Sequence, residues 1–573
     1  MMKQKEKWQE LCMTDCEEAV YSNDYFDFLA TKEFMEDVPP GDYCVQQLDE
    51  DYVAVYDHKR GRELKTEVFS YGVIPKCFGL LNNVALGESG ILKVRDQPNL
   101  ALTGRGVLMG FIDTDFDYTN PLFCNTDGTT RVERIWNQKE RSGMPPKGFF
   151  YGTEYTREQI NKELMANHDS MTAKIPYADG HGTFLAALAA GSEDFNNQFS
   201  GAAPECDIAF VQLKPAKQYL KDFYYIPDET PVFQENDIMA GIRYLNMLAA
   251  ELRKPLSICV ALGTNMGNRG GASPLANSLN EVSNRRQRCV SVACGNEADK
   301  RHHFLGGISG QNAQERVEIS VSEGVEGFIA EMWAEAPELY EVTVVSPTGE
   351  RFNALPTAPG SHTEYRFLFE GTIVTVDYLL TGAANRNELI YVRFHKPISG
   401  VWVLNVSVRN FADGIYHMWV PMEDMISGEV FFIRSDPDTT ITVPSDAEAP
   451  ITVAGYNGLD GSIYFESGRG YTATREIKPD IAAPAVDVYG PIGEGKFETR
   501  SGTSVAAAIT AGAGALMLEW TGVRRNDISV TTANIKNYFI RGATREESRE
   551  YPNREWGWGQ LDLYKTFENF RNV

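Results

Sequence analysis

Val107-Leu108-Met109-Gly110-Phe111-Ile112 is an unbroken apolar run of strand length, and it ends in Asp113-Thr114-Asp115. A strand apolar on both faces has no side left for water, so it belongs inside a sheet covered on both sides, which for parallel strands means covered by helices. Three further runs share this character: Ile208-Ala209-Phe210-Val211-Gln212-Leu213, Leu256-Ser257-Ile258-Cys259-Val260-Ala261-Leu262 and Cys289-Val290-Ser291-Val292-Ala293. Between them, Glu235 to Glu251 and Ser273 to Arg286 carry helical periodicity. The alternation predicts an α/β fold, a mostly parallel sheet flanked by helices, with the functional site at the carboxyl ends of its strands.

Downstream the texture changes. From about residue 310 to Phe432, short alternating strands follow one another with turn residues between them: Arg316 to Val321, Tyr340 to Val345 before Ser346-Pro347-Thr348-Gly349, Ile373 to Leu379, Leu389 to Phe394 and Val401 to Val408. Many strands and almost no helix predict an all-β sandwich of the jelly-roll kind. It is an insertion over 310–435, because α/β texture resumes with Ile451-Thr452-Val453-Ala454-Gly455 and a small-residue helix from Ser504 to Trp520. The α/β part is thereby split into 87–309 and 436–573. Upstream, 1–86 read as a small α+β unit: an acidic, aromatic-rich start broken at Val38-Pro39-Pro40-Gly41-Asp42, then strands in Tyr52-Val53-Ala54-Val55-Tyr56 and Glu67 to Ile74.

Composition narrows the function. The 573 residues carry 54 Lys+Arg against 79 Asp+Glu, a formal net charge of −25, so a phosphate-binding surface would work against the field of the whole molecule and nucleic acid is not expected as a partner. The most apolar segments, Phe184 to Ala190 and Ala513 to Leu518, are short and interrupted, so no membrane span is expected. After Met1-Met2-Lys3-Gln4-Lys5, acidic residues stand where a Sec signal would carry its apolar core, which points to cytoplasmic synthesis, with spore association or later release left open. Nine cysteines are scattered without a disulfide framework or zinc spacing; Cys12 and Cys16 lack a second pair, and reduced thiols are expected.

Three short motifs sit at element boundaries. Asp113 closes the first buried strand, where a carboxylate can simply cap the turn. His181, in Asp179-Gly180-His181-Gly182-Thr183, opens a small-residue helix, and Ser504, in Ser501-Gly502-Thr503-Ser504-Val505-Ala506, opens another, where a serine is most often an N-cap. Taken together, Asp, His and Ser in this chain order form the constellation of subtilisin. Val292-Ala293-Cys294-Gly295-Asn296 adds a strand end that can aim an amide at a developing oxyanion. On these motifs, with Lys478-Pro479-Asp480-Ile481-Ala482-Ala483-Pro484, the sequence resembles the subtilisin-like serine proteases. The Ser504 helix, the late β insertion and Tyr551-Pro552-Asn553-Arg554-Glu555-Trp556-Gly557-Trp558-Gly559-Gln560-Leu561-Asp562 look like the clostridial subtilases that include the spore germination proteases.

The resemblance implies a serine endopeptidase acting on protein or peptide. Ser504 would be the nucleophile, His181 the general base, Asp113 the group that orients the imidazole, and Asn296 with the Ser504 backbone N–H the oxyanion donors. Ala261-Leu262-Gly263 would pair with an extended substrate, and Ala293-Cys294-Gly295 would form a wall of its specificity pocket. A bulky reagent on the Cys294 thiol would then block that pocket. The resemblance also implies that 1–86 is a propeptide cut by the enzyme itself near Asn82 to Leu86 and held non-covalently as chaperone and inhibitor. No cofactor is implied; calcium often stabilises such proteases, but no recognisable calcium loop supports a site.

Departures from the family pattern are Asp115 where Gly is common, Val505-Ala506-Ala507-Ala508-Ile509 after the serine, and Ala485 in place of Gly. If Asp115 faces His181, it raises the imidazole pKa and weakens the free enzyme at mildly acidic pH. Two other readings stay open: a pseudoprotease that binds a partner or senses a germinant, and an unrelated serine hydrolase. The second lacks its motif, since the Ser504 context has no second Gly of a Gly-x-Ser-x-Gly elbow.

Overall fold

The computed structural model describes residues 16–38, 43–66, 68–80, 88–166, 179–310, 313–354, 360–381 and 387–570. At its centre lies an eight-stranded sheet in the order Ile481–Pro484, Ile451–Tyr456, Arg288–Ala293, Leu256–Val260, Leu108–Asp113, Asp207–Gln212, Val132–Asn137 and Thr153–Thr156. Every neighbouring pair is parallel except the last, where Thr153–Thr156 runs antiparallel to Val132–Asn137. The four apolar runs expected inside a parallel sheet are its middle strands, buried throughout apart from Asp207 at one end. The Val132–Asn137 and Thr153–Thr156 strands were not expected, because alternation with Glu133, Arg134, Glu154 and Thr156 hides them.

The helix predicted over 504–520 runs from Thr503 to Leu518 and continues as a π-helix over Glu519–Val523. By length and composition this 21-residue helix is apolar enough to cross a membrane, contrary to the expectation that no segment is. It is instead the central core helix, packed on the sheet and the His181 helix, with Ser504 through Leu518 wholly enclosed. Small residues permit this: a Cβ on Gly512 would lie 2.4 Å from the Ala202 Cβ and 3.0 Å from the Ala189 carbonyl oxygen.

The insertion is a two-sheet antiparallel sandwich, six strands facing five, around a core that includes Phe328, Tyr340, Phe394 and Trp402. It begins earlier than 310: His303–Gly307 already pairs with Ile415–Trp419, and the last sandwich strand is Val430–Phe432. In the N-terminal unit, Tyr25–Thr31 and Tyr43–Gln47 flank Tyr52–His58 in a three-stranded antiparallel sheet. The expected strand over 67–74 is not formed among the described residues; Tyr71–Val73 is a 3-10 turn, because its backbone wraps the Lys76 ammonium, which donates to the Tyr71 and Ile74 carbonyls. Cys16 and Cys44 are joined by a disulfide, Cα atoms 5.7 Å apart, which corrects the expectation of reduced thiols throughout; packing of the first helix on the sheet brings together residues whose spacing gave no such signal. Asp27, enclosed in the N-terminal sheet, pairs with Lys217 Nζ and accepts from Gln234 Nε2 at 2.8 Å, so a buried charge pair ties this unit to the α/β body.

Candidate active site

The Leu108–Asp113 strand ends in the carboxylate of Asp113, and the His181–Ala190 helix starts beside it. His181 Nδ1 lies 2.8 Å from Asp113 Oδ1, with both side chains almost fully buried. The same oxygen accepts from the Thr114 backbone N–H at 2.8 Å, so the carboxylate is held in one orientation. With Asp113 ionised, the imidazole carries its proton on Nδ1 and keeps a lone pair on Nε2.

The close approach of helix to strand depends on Gly182. A Cβ there would lie 2.4 Å from the Asp115 carbonyl oxygen and 2.7 Å from the Phe210 ring. Gly182→Ala is therefore expected to push the helix off the strand and break the Asp113–His181 hydrogen bond, with peptidase activity falling at least about 100-fold, as a displacement of roughly 1 Å does at other active sites. Steady-state kinetics beside a circular dichroism spectrum check this; an active, folded variant would show that the helix can shift without cost.

Ser504 opens the central helix, and its Oγ is buried without a hydrogen-bond partner among the described residues. The Thr503–Leu518 and His181–Ala190 helices pack side by side, and no hydrogen bond joins the Ser504 Oγ to the His181 ring. Asn296 follows the Arg288–Ala293 strand. Its Oδ1 accepts from the Thr503 N–H and the Thr503 Oγ–H, both at 3.0 Å. With the oxygen occupied, Nδ2 is the end left to donate, at the N-terminus of a helix whose dipole favours negative charge. Thr503 Oγ1 also accepts from the Gly295 N–H at 3.1 Å, so one threonine holds both the Asn296 amide and the backbone just before it. Along the chain Thr503 stands out only as part of the serine motif.

Arg500 was missed altogether. It stands just before Ser501-Gly502-Thr503-Ser504, donates to the Asp179 carbonyl and pairs with the Asp179 carboxylate at 3.0 Å. One guanidinium thus ties the serine segment to the segment that introduces His181.

Asp115 lies beside His181 and does not face solvent. Its Oδ1 accepts from Thr114 Oγ1 at 2.6 Å and from the Gly182 N–H at 3.3 Å, and burial, with the neighbouring Asp113 charge, pushes its carboxyl above the ordinary range. Ionised Asp115 stabilises the His181 imidazolium, so it raises the pH at which the base is lost. Asp115→Asn keeps the acceptor and removes the charge; the acidic limb of the kcat/KM profile is expected to move to lower pH by about one unit. The linked stability has the opposite sense. A carboxyl with a raised folded pKa contributes stability that is present at low pH and lost as pH rises through that value, a loss the Asn variant escapes. An unmoved acidic limb would mean that Asp115 and His181 do not communicate.

The residues expected to line the substrate path take these places. Ala261, Leu262, Gly263, Ala293 and Gly295 are buried, and Gly295 has φ +101°. Cys294 is fully enclosed with Ile441, Ala454, Tyr456, Ala482 and Trp556, its thiol 3.4 Å from Ser467 Oγ and pushed up to about 12 by burial. The thiol is thus fully enclosed, out of reach of a bulky reagent in the folded protein. Ala485 fits where Gly is common because Gly455 faces it: a Cβ on Gly455 would lie 2.6 Å from that of Ala485. Leu262–Gly263 does pair with an extended segment, and that segment is the chain's own Cys77–Leu80, antiparallel to it and, on the other side, to Phe233–Gln234. The expected cut at Asn82 to Leu86 lies outside the described residues. Among the described residues no cluster of three or more His, Cys, Asp or Glu side chains is arranged to hold a metal ion.

Residues 104–330 and 429–559 match the Subtilase family of S8 peptidases. The chain belongs to the subtilase family. The two matched stretches leave 331–428 between them, inside the sandwich, so the subtilase fold is interrupted where the texture changes. The fold of this subtilase is also that of the Clostridium perfringens CspB protease, with a TM-score of 0.73 at 28% identity over 85% of this chain and 98% of that one. The C5a peptidase of Streptococcus pyogenes is 27% identical over 139 residues, 23% of this chain; the match spans only 12% of that peptidase.

Proposed function

We propose that the chain is a serine endopeptidase that cuts itself behind its N-terminal unit and retains that unit in its cleft. The observation that carries this reading is the Cys77–Leu80 strand, paired on both edges between Leu262–Gly263 and Phe233–Gln234. A peptide held by main-chain hydrogen bonds on two sides is presented as a substrate is, whatever its side chains.

In the reaction, the Ser504 Oγ attacks the scissile carbonyl carbon while its proton passes to His181 Nε2. The carbonyl π electrons move onto oxygen, and that oxyanion is met by Asn296 Nδ2 and the Ser504 N–H. Asp113 stabilises the imidazolium. The C–N bond then breaks with the proton delivered from His181 to the leaving amine, and water repeats the sequence to free the acid and Ser504. No step calls for a cofactor.

The test is the intact mass, under denaturing conditions, of the wild type beside Ser504→Ala. The expected result is two fragments from the wild type, with a cut between Asn82 and Leu86, and one uncut chain from the variant. A wild type that stays whole in this assay would remove the self-processing reading and favour a protein that holds its partner without cutting it.

A further inference from the structure

The N-terminal unit is gripped by the inserted sandwich as well as by the α/β body, and one side chain makes the junction. Glu331 lies in the Gly327–Ala334 strand of the sandwich and is 3% exposed. Its Oε1 accepts from the phenol of Tyr71, just upstream of the strand in the cleft. Its Oε2 accepts from the Gly267 N–H at 2.8 Å, in the loop that follows the substrate-pairing Leu262–Gly263, and from Trp333 Nε1 at 2.9 Å. The three donors belong to three parts of the molecule: N-terminal unit, α/β body and sandwich.

Tyr71 is itself almost fully buried, its ring 5.2 Å from that of Tyr391 and 6.2 Å from that of Trp333, both on sandwich strands. The Lys76 ammonium lies 4.5 Å from the Tyr71 ring and closes the turn that feeds directly into Cys77–Leu80. On the far side, the Tyr224 phenol donates to the Pro75 carbonyl at 3.4 Å.

We propose that the sandwich is a docking surface for the chain's own Tyr71–Lys76 segment, and that Glu331 is the residue that holds the inhibitory strand in the cleft. This rests on the retained-propeptide reading above. The physical argument is one of satisfaction. A carboxylate removed from water is costly unless its oxygens are met by donors, and here they are fully met only when all three parts are docked. Departure of the N-terminal unit strips Glu331 of its phenol and uncovers the Trp333 and Tyr391 rings, so release is opposed at the sandwich independently of the Asp27–Lys217 pair at the other end of the unit. The insertion thereby sets how long the cleft stays closed after cutting.

The experiment begins with the uncut Ser504→Ala chain, where activity plays no part. Amide hydrogen exchange is followed over residues 71–80 with Tyr71→Phe and, separately, Glu331→Gln added. The expected result is exchange about tenfold faster over 71–80 in both variants, the loss of one hydrogen bond to a buried charge, with the Tyr25–His58 sheet still protected. Unchanged exchange over 71–80 in both would overturn the proposal. Equal loosening of the whole N-terminal sheet would overturn it as well, since the contact would then serve that unit's folding and not its docking. The second arm uses the active chain: Tyr71→Phe is expected to raise the initial rate on a short peptide several-fold as the N-terminal fragment leaves. If exchange quickens but neither active chain cuts itself, the grip stands and the peptidase reading fails.

Discussion

Ser504→Ala is expected to lower turnover of a peptide substrate by about a million-fold, the magnitude known for loss of the nucleophile in subtilisin. The alanine chain has no group to form the acyl intermediate, and His181 then has only water to activate. A residual rate of about a thousand- to ten-thousand-fold over water is expected, because the oxyanion donors and the binding strand are untouched. The variant should fold at least as well as the wild type. The hydroxyl it removes is buried and unpartnered, so no hydrogen bond is lost and an unsatisfied polar group is removed. Covalent labelling by a fluorophosphonate should disappear in parallel with activity, with the thermal midpoint unchanged or raised. Persistent labelling of the alanine chain would place the nucleophile elsewhere.

Asn296→Ala is expected to lower kcat by about 100- to 1000-fold with little change in KM, since an oxyanion donor is worth about 2.7 to 4 kcal/mol and acts on charge that exists only in the transition state. The geometry adds a complication that can be measured. Asn296 Oδ1 accepts two hydrogen bonds from Thr503, so alanine also frees the residue that carries Ser504 on its C-terminal side. Thr503→Val separates the two effects: it removes the hydroxyl that meets both Asn296 and Gly295 while leaving the amide in place. A smaller loss in Thr503→Val than in Asn296→Ala is expected if the amide itself meets the oxyanion. Equal losses, or a rise in KM alone, would mean that Asn296 is only a brace for the serine segment.

Much of the molecule was legible along the chain. Buried parallel strands are apolar on both faces, so Leu108–Asp113, Leu256–Val260 and Arg288–Ala293 announce themselves. The sandwich announces itself through period-two alternation in five of its strands, Gln314–Val321, Leu339–Val345, Ile373–Thr381, Asn387–His395 and Gly400–Asn410, whereas Gly327–Ala334, buried at every position, does not. Asp113, His181, Ser504 and Asn296 are each ambiguous alone; their order and small neighbours make them candidates together, and Gly182 shows why one such neighbour is small. Edge strands such as Thr153–Thr156 were hidden because only Thr153 is buried and the polar residues beside it interrupt the apolar pattern.

The sequence by itself determined the class of fold and the interruption by a β domain, because these depend on periodicity, and it nominated the reacting groups through short motifs whose parts are close in the chain. Only the tertiary structure decided what is made by distant segments meeting. The Cys16–Cys44 bond, the Arg500–Asp179 tie, the burial of the Cys294 thiol and the pairing of Cys77–Leu80 with Leu262–Gly263 leave no local trace. The same holds for Tyr71 and Glu331: a tyrosine in a turn and a glutamate in a strand are unremarkable until folding takes both out of water and leaves each as a donor or acceptor that the other must satisfy.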